Sequence, residues 1–386
     1  MNALRYIPFL RRGFVRSGPP LHLTLFVTGA CNARCRHCFH HEEVAAALAG
    51  PSVEKVEKLA KSAAAMGPLL WVSFGGGEPM LRKDLPALAR AFGSRGLRHL
   101  AIPTNGMVEG WQHETVEQIL AENPDLYLSI SVSFDGPPDV HDNIRQVKGG
   151  HARAMNSVRA YREQAKRHKN LGVGIIVTVS SENQLLLADH LEELVDELHP
   201  DNVTVNLARG KALDPELLNV DVANYLEVVA AKERLMKAGR LPYFDFPMAK
   251  LAIARDRLMY DHVAKVAADA PRRHLPCTAG TLSAVIFEGG EVFPCEMLEQ
   301  PMGQLNDVDW DLSKIWSQHE AKALRHTIKK THCECTWECA QADNVLFDPR
   351  SWPALMSGTM GLPGRAAKVA ISPGSNSSSE RPAKQP

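Results

Sequence analysis

The chain has 386 residues, and 45% of them are hydrophobic, which is enough to bury one large core or two smaller ones. Lysine plus arginine equals aspartate plus glutamate at 44 residues each, so the net charge is zero and gives no overall electrostatic footprint for nucleic acid. No apolar run is long enough to span a bilayer, and residues 1–20 lack the features of an export signal. We therefore expect a cytoplasmic protein with an N-terminal extension over residues 1–20, no transmembrane segment and no nucleic-acid partner.

Short apolar runs alternate with amphipathic stretches between residues 21 and 212. The stretches predict helices, and Ser52 is a plausible N-cap for one of them, over 52–66. The runs predict strands at 21–27, 69–74, 99–106, 126–136, 173–179 and 202–208. Strands and helices that alternate in this way imply a parallel sheet with right-handed crossovers. Periodicity alone does not separate an open doubly wound sheet from an incomplete barrel.

The character of the sequence changes after residue 212. Residues 213–270 are rich in alanine, leucine, lysine and glutamate and predict a helical bridge. Residues 271–349 predict short strands and turns, with a hairpin turn at Gly289 and Gly290. Residues 350–386 are expected to form a largely disordered tail, because the end of the chain is rich in serine, proline and lysine.

The eight cysteines fall into two groups. Cys31, Cys35 and Cys38 lie close together after the first predicted strand, and the other five follow residue 270. Disulfides are not expected without an export signal, so clustered cysteines point to metal or redox chemistry. Three thiolates are one short of a closed zinc site or of the usual four ligands of an iron–sulfur cluster, which suggests a site left open. The alternatives are three buried thiols, or a zinc site completed by His37, His40 or His41.

The spacing Cys31-x-x-x-Cys35-x-x-Cys38 resembles the signature of the radical S-adenosylmethionine (SAM) superfamily. In that family the three cysteines hold a 4Fe–4S cluster whose open iron chelates SAM, and an electron from the cluster cleaves SAM to a 5′-deoxyadenosyl radical that takes a hydrogen atom from the substrate. The resemblance implies that these three cysteines are the catalytic cluster ligands. It also implies an α/β fold with a partial (β/α)6 TIM-like barrel, and a reductant such as flavodoxin or ferredoxin as partner.

The resemblance continues at the ends of later strands. "GGEP" at 76–79 matches the family's Gly-Gly-Glu-Pro element, in which glycine lets the backbone approach the SAM ammonium closely. "SVSFDG" at 131–136 and "HDNIR" at 141–145 follow the same pattern, and a guanidinium can form a fork onto the SAM carboxylate. The cofactor-binding residues implied are Phe39, Gly76, Gly77, Glu78, Pro79, Ser133, Asp135 and Arg145. An ordinary turn at 135–136 and a surface arginine at 145 are the alternatives.

The second group of cysteines resembles the auxiliary-cluster modules called SPASM and twitch domains. Cys277 precedes a Gly290-x-x-x-x-Cys295 element, and a cysteine-rich segment follows at 332–349. The full SPASM pattern has seven cysteines and two clusters, so five cysteines imply one auxiliary 4Fe–4S cluster in a C-terminal β-hairpin module. The candidate ligands are Cys277, Cys295, Cys333, Cys335 and Cys339, of which Cys277 and Cys295 come first. A zinc module is the alternative.

Three functions are compatible with these motifs. We expect a radical SAM enzyme that abstracts hydrogen from a small molecule, such as a sugar, an aminoglycoside-like compound or a lipid-linked metabolite, because residues 1–20 are too short for a separate peptide-recognition domain. The first alternative is a radical SAM maturase that modifies a peptide or protein. The second is a non-catalytic iron–sulfur or zinc scaffold protein, which would have no need of the element at 76–79.

Overall fold

The computed structural model describes residues 6–10 and 18–361. Within these residues nine strands form one sheet, in the order β6-β5-β4-β3-β2-β1-β7-β8-β9. The strands are β1 His22–Thr28, β2 Trp71–Gly76, β3 His99–Thr104, β4 Tyr127–Phe134, β5 Leu171–Val179, β6 Asn202–Leu207, β7 Ser283–Ile286, β8 Glu291–Phe293 and β9 Gly303–Gln304.

The helices flank this sheet and connect its strands. They are α1 Ile7–Leu10, α2 His41–Ala46, α3 Val53–Met66, α4 Leu85–Gly93, α5 Gln112–Glu122, α6 Pro138–Arg145, α7 Gly150–Ala165, α8 Leu187–Leu198, α9 Val222–Lys237, α10 Ala249–Ala267, α11 Leu312–Ser317, α12 His319–Lys330, α13 Glu338–Leu346 and α14 Trp352–Thr359. The predicted N-cap of α3 is confirmed, because the Ser52 side chain accepts a hydrogen bond from the backbone N–H of Lys55. None of the helices in the described ranges is both long and apolar enough to cross a bilayer.

The six strands predicted from the alternating pattern pair in parallel, in chain order. β5 reads LGVGIIVTV and is buried along most of its length, as a strand covered on both faces must be. The expected α/β fold with a partial barrel of six β/α units is confirmed. Because these strands are all parallel, their carboxyl ends lie at one edge of the sheet, and that edge positions the site.

The cysteine-rich region (residues 271–349) continues this sheet. β7 pairs in parallel with β1, from His22 opposite Ser283 to Leu25 opposite Ile286, and then pairs antiparallel with β8 in the predicted hairpin. Gly290 closes the hairpin turn with a φ of +94°, a conformation that favours glycine. The sequence pattern predicts the hairpin but not its long-range pairing with β1.

The predicted helical bridge consists of two helices, α9 and α10, with a bend between them. Gly239 has a φ of +72°, and Phe244 in the bend packs over β5, where a Cβ at Gly172 or Gly174 would lie within 3 Å of its ring. The bridge therefore closes the end of the barrel opposite the carboxyl ends of the strands.

The predicted tail begins too early. Residues Trp352–Thr359 form α14, which packs so closely on α10 that a Cβ at Gly358 would lie 2.9 Å from the Cβ of Ala254. Leu355 is buried there, so the apolar residues of this segment have a partner that composition does not reveal. The rest of the predicted tail, from residue 362, and residues 1–5 and 11–17 of the predicted extension lie outside the described residues.

Candidate active site

A cavity of about 500 Å³ opens at the carboxyl ends of the parallel strands. Ten of the eleven core residues predicted for the site line it: Cys31, Cys35, Cys38, Phe39, Gly76, Gly77, Glu78, Pro79, Ser133 and Arg145. The eleventh, Asp135, lies behind this wall and is fully buried. The positions singled out in sequence therefore come together in one cavity, in the size range of small-ligand sites.

Backbone hydrogen bonds hold the cysteine loop (residues 29–40) in place. The N–H of Arg34 donates to the carbonyl of Arg145 at 3.2 Å, and the N–H of Arg36 donates to the carbonyl of Ile144 at 2.8 Å. These carbonyls end α6 and have no partner within the helix. Residues 213 and 214 donate to the loop from its other side, so the three cysteines lie on an anchored loop rather than a free one.

The three thiols of the loop are buried enough to be protonated when no metal is bound. Burial raises the pKa of Cys31 to about 12 and that of Cys38 to about 11, and it raises the pKa of Cys35 as well. A metal centre binds cysteines as thiolates, so metal binding would release their protons. The metal–sulfur bonds would offset the free-energy cost of burying these groups. Three cysteines that share one cavity wall are a suitable donor set for an iron–sulfur cluster, with a fourth position left to a ligand in the cavity.

The two glycines of the element at 76–79 serve the cysteine loop directly. Gly76 has a φ of +117°, and a Cβ there would lie 2.2 Å from the carbonyl oxygen of Thr28. A Cβ at Gly77 would lie 2.3 Å from the carbonyl oxygen of Ala30. Glycine is therefore required at both positions because the backbone at and after the end of β1 crosses the end of β2 closely. This requirement comes in addition to the expected close approach of the backbone to SAM.

Glu78 ties the ends of two strands together. Its Oε1 accepts hydrogen bonds from the Thr104 hydroxyl at 2.7 Å and the Met80 N–H at 2.9 Å, and its Oε2 accepts from the Asn105 N–H at 2.7 Å. Burial raises the pKa of this carboxyl, although the two N–H groups oppose that effect. The "TNG" segment that ends β3 is thus fixed to the element that ends β2.

Asp135 and Arg145 form a buried ion pair behind the cysteine loop. Nε of Arg145 donates to Oδ2 of Asp135 at 2.7 Å, and Nη1 lies 3.9 Å from the sulfur of Cys35. Burial opposes the charge of Asp135, yet Arg145 and His37 outweigh it and lower the pKa of Asp135. Both side chains are more than nine-tenths buried. Arg145 is therefore not a surface arginine, and Asp135 is not part of an exposed turn.

Sequence reasoning missed residues at the ends of β5 and β6. Thr178 and Asn206 line the cavity, and so does Arg209, which follows β6 by two residues. Burial opposes the charge of Arg209, but Glu338 and Glu296 raise its pKa. Their position at or just beyond the carboxyl ends of the two strands was the available signal, since side chains at the carboxyl ends of parallel strands face a common site.

The two histidines of the cysteine loop, His37 and His40, and His41 at the start of α2 do not converge on the thiols. His37 lines the cavity and lies 4.0 Å from Asp135, and Nδ1 of His41 lies 3.1 Å from the Cys38 carbonyl oxygen. His40 is buried and lies 2.8 Å from Glu288 in the hairpin turn. In these contacts all three side chains have partners other than the cysteine thiols.

The second group of cysteines assembles from three segments. The neighbouring thiols of Cys277 and Cys333 influence each other, so that Cys333 raises the pKa of Cys277 and Cys277 lowers that of Cys333. Burial raises the pKa of Cys295 to about 12 and that of Cys335 to about 11, and nearby Cys333 adds to both effects. Cys333 and Cys335 thus influence both Cys277 and Cys295, and a four-thiolate set suits an iron–sulfur cluster.

Cys339 stands apart from the other four. Its side chain is exposed, and its charged neighbours include Glu296, Arg209 and Glu338. In the part of the chain that the structure describes, no three cysteine, histidine or carboxylate side chains are gathered closely enough to hold a single metal ion. Both groups of cysteines therefore suit iron–sulfur clusters because of the thiols that they offer and the buried places in which these lie, and not because of a preformed site for one ion.

Comparison with known proteins extends this picture. Residues 25–208 match the family model described as the Radical SAM superfamily. The sporulation killing factor maturation protein SkfB of Bacillus subtilis is 23% identical over 333 residues, which cover 84% of this chain and 70% of SkfB. The AdoMet-dependent heme synthase of Oleidesulfovibrio alaskensis is 23% identical over 313 residues, which cover 76% of this chain and 74% of the synthase.

A solved structure shares the fold over most of the chain. SuiB of Streptococcus suis bound to the precursor peptide SuiA superposes with a TM-score of 0.59 at 17% identity, covering 83% of this chain and 70% of SuiB. At this identity the similarity concerns the fold. Members of the superfamily use a 4Fe–4S cluster and SAM, the cofactors that the sequence motifs imply. Residues 25–208 therefore form a radical SAM domain.

Proposed function

We propose that this radical SAM enzyme modifies a peptide. The observation that carries the proposal is the similarity to SkfB, a maturation protein, because it extends over 333 residues and so includes the region beyond the radical SAM domain. SuiB, which shares the fold, has been solved with a precursor peptide bound. The relatives thus favour the peptide alternative over the small-molecule substrate that the short N-terminal extension suggested.

In this proposal Cys31, Cys35 and Cys38 hold the catalytic cluster. A 4Fe–4S cluster held by these three thiolates would supply the binding of SAM and the electron for its reductive cleavage. Asp135 lies behind the cavity wall and holds Arg145 in place. The other predicted residues line the cavity and would bind and orient SAM: Phe39, Gly76, Gly77, Glu78, Pro79, Ser133 and Arg145. We place the auxiliary 4Fe–4S cluster at Cys277, Cys295, Cys333 and Cys335, with Cys339 beside it.

The residues of the cavity have distinct tasks in this scheme. Arg145 keeps its charge through Asp135 and presents a guanidinium at the cavity wall, where a carboxylate of SAM would bind. Ser133 offers a hydroxyl on the same wall at the end of β4. Because Glu78 fixes the strand ends, this wall is held in one geometry before substrate arrives, which lowers the cost of orienting the reactants.

A small-molecule substrate is the second candidate. The heme synthase is similar over 76% of this chain, and its name refers to a tetrapyrrole. The discriminating feature is the substrate itself, since fold and cofactor are common to both classes. A cytoplasmic location and a flavodoxin or ferredoxin reductant belong to either version of the proposal.

The test begins with anaerobic reconstitution with iron and sulfide, reduction in the presence of SAM, and chromatography for 5′-deoxyadenosine. We expect about eight irons per chain, from two four-iron clusters, and release of 5′-deoxyadenosine. Short peptides encoded beside the gene are then added, and mass spectrometry should detect a mass change in one of them that depends on SAM. Modification of a tetrapyrrole with no change in any peptide would favour the second candidate, and a zinc-bound protein that makes no 5′-deoxyadenosine would favour the scaffold.

A further inference from the structure

Arg209 joins the wall of the active-site cavity to the cysteine-rich region. It lines the same cavity as the cysteine loop. Its Nη1 donates to Oε2 of Glu338 at 2.9 Å, and its Nη2 lies 3.6 Å from Oε2 of Glu296. The Arg209 side chain is only 14% exposed, so these charges interact in a largely desolvated place, where electrostatic effects are stronger than in water.

Both carboxylates belong to segments that carry cysteines. Glu296 directly follows Cys295, and Glu338 directly precedes Cys339 at the start of α13. Oε1 of Glu338 also accepts the N–H of Leu207 at 2.7 Å, which fixes the end of β6 to the start of α13. One guanidinium on the cavity wall is therefore in contact with two of the segments that bring thiols to the auxiliary site.

We propose that Arg209 is a positioning residue that sets the reduction potential of the auxiliary cluster from the wall of the active-site cavity, with Glu338 as its counter-charge. This inference rests on the proposed cluster at Cys277, Cys295, Cys333 and Cys335. A buried cation near an iron–sulfur cluster stabilises the reduced, more negative state and raises the potential, whereas a carboxylate lowers it. The catalytic cavity and the auxiliary site would thus share one charge.

The test uses two variants that break the same ion pair but remove opposite charges. Arg209→Gln and Glu338→Gln are made in full-length protein that also carries Cys31→Ala, Cys35→Ala and Cys38→Ala, so that only the auxiliary cluster remains. A redox titration followed by absorbance and electron paramagnetic resonance then reports on that cluster alone. We expect R209Q to lower the midpoint potential, E338Q to raise it, and R209K to restore most of the original value because it keeps the charge.

The matched control is Arg257→Gln, since Arg257 forms a half-exposed ion pair with Glu233 on α9 and α10 and should leave the potential unchanged. Glu296→Gln should also raise the midpoint potential. It replaces E338Q in the titration if E338Q disturbs β6. If the background protein forms no cluster, the proposed auxiliary site is wrong and the inference falls with it. If the cluster forms but R209Q and E338Q shift the potential in the same direction, or not at all, the inference alone is overturned.

Discussion

The chain brings its two groups of cysteines together in different ways. Cys31, Cys35 and Cys38 lie on one loop, and the backbone of α6 and the residues at 213–214 fix that loop. The cysteines of the second group come from segments between 277 and 339, and they meet only when β7 has joined β1 and α13 has docked on β6. The first site is local and readable as a motif, whereas the second depends on long-range folding.

The largest expected effect is on the local site. Replacing Cys31, Cys35 and Cys38 together with alanine should abolish 5′-deoxyadenosine formation while about half of the iron remains, because the auxiliary thiols are untouched. Iron analysis and chromatography of the reconstituted variant measure both quantities. A triple variant that still makes 5′-deoxyadenosine would show that these cysteines do not hold the catalytic cluster.

The second prediction separates the cysteines of the long-range site. Cys335→Ser should lose about half of the iron, because Cys335 belongs to the four thiols that lie together. Cys339→Ser should keep nearly all of it, because the Cys339 side chain is exposed and lies outside the proposed set of four. Iron counts of the two variants, purified and reconstituted side by side, give the comparison. Equal losses would mean that Cys339 is a ligand and that the set of four is wrong.

The third prediction compares one glycine from each region. Gly76→Ala places a Cβ 2.2 Å from a backbone oxygen of Thr28, whereas Gly290→Ala places one 2.7 Å from the end of the flexible Gln304 side chain. Both residues have positive φ, so each substitution costs about 1–2 kcal/mol of backbone strain, but only Gly76→Ala must also displace the backbone of Thr28, from which the cysteine loop starts. We expect G76A to lose the catalytic cluster and G290A to retain both clusters, as measured by iron content and 5′-deoxyadenosine yield. Full activity of G76A would contradict the close packing.

The smallest effect concerns stability rather than chemistry. Glu78→Ala removes the acceptor of three buried hydrogen bonds and should lower the free energy of unfolding by about 2–4 kcal/mol, and Glu78→Gln should lower it by less because one oxygen remains. Chemical denaturation of the metal-free protein measures both. Glu54→Ala is the control, since that side chain is 77% exposed, and its effect should stay within about 0.5 kcal/mol. A loss for E78A no larger than that of the control would mean that Glu78 does not fix the strand ends.

The sequence by itself determined the parts of the protein that depend on local pattern. The alternation of apolar runs and amphipathic stretches predicts the six parallel strands, because strand and helix impose different short periods on burial. The spacing of the cysteine loop and the glycines at 76–77 predicts one wall of the cavity, because parallel strands bring their carboxyl ends to the same edge.

Only the tertiary structure decided the long-range contacts. The pairing of β7 with β1, the helix α14 in the predicted tail, and the ion pair of Arg209 with Glu338 join residues far apart in the chain. No short period marks such partners, since each depends on which surfaces remain free once the strands have assembled. The same reason explains why sequence alone named five candidate cysteines for the auxiliary site and left the choice among them to the fold.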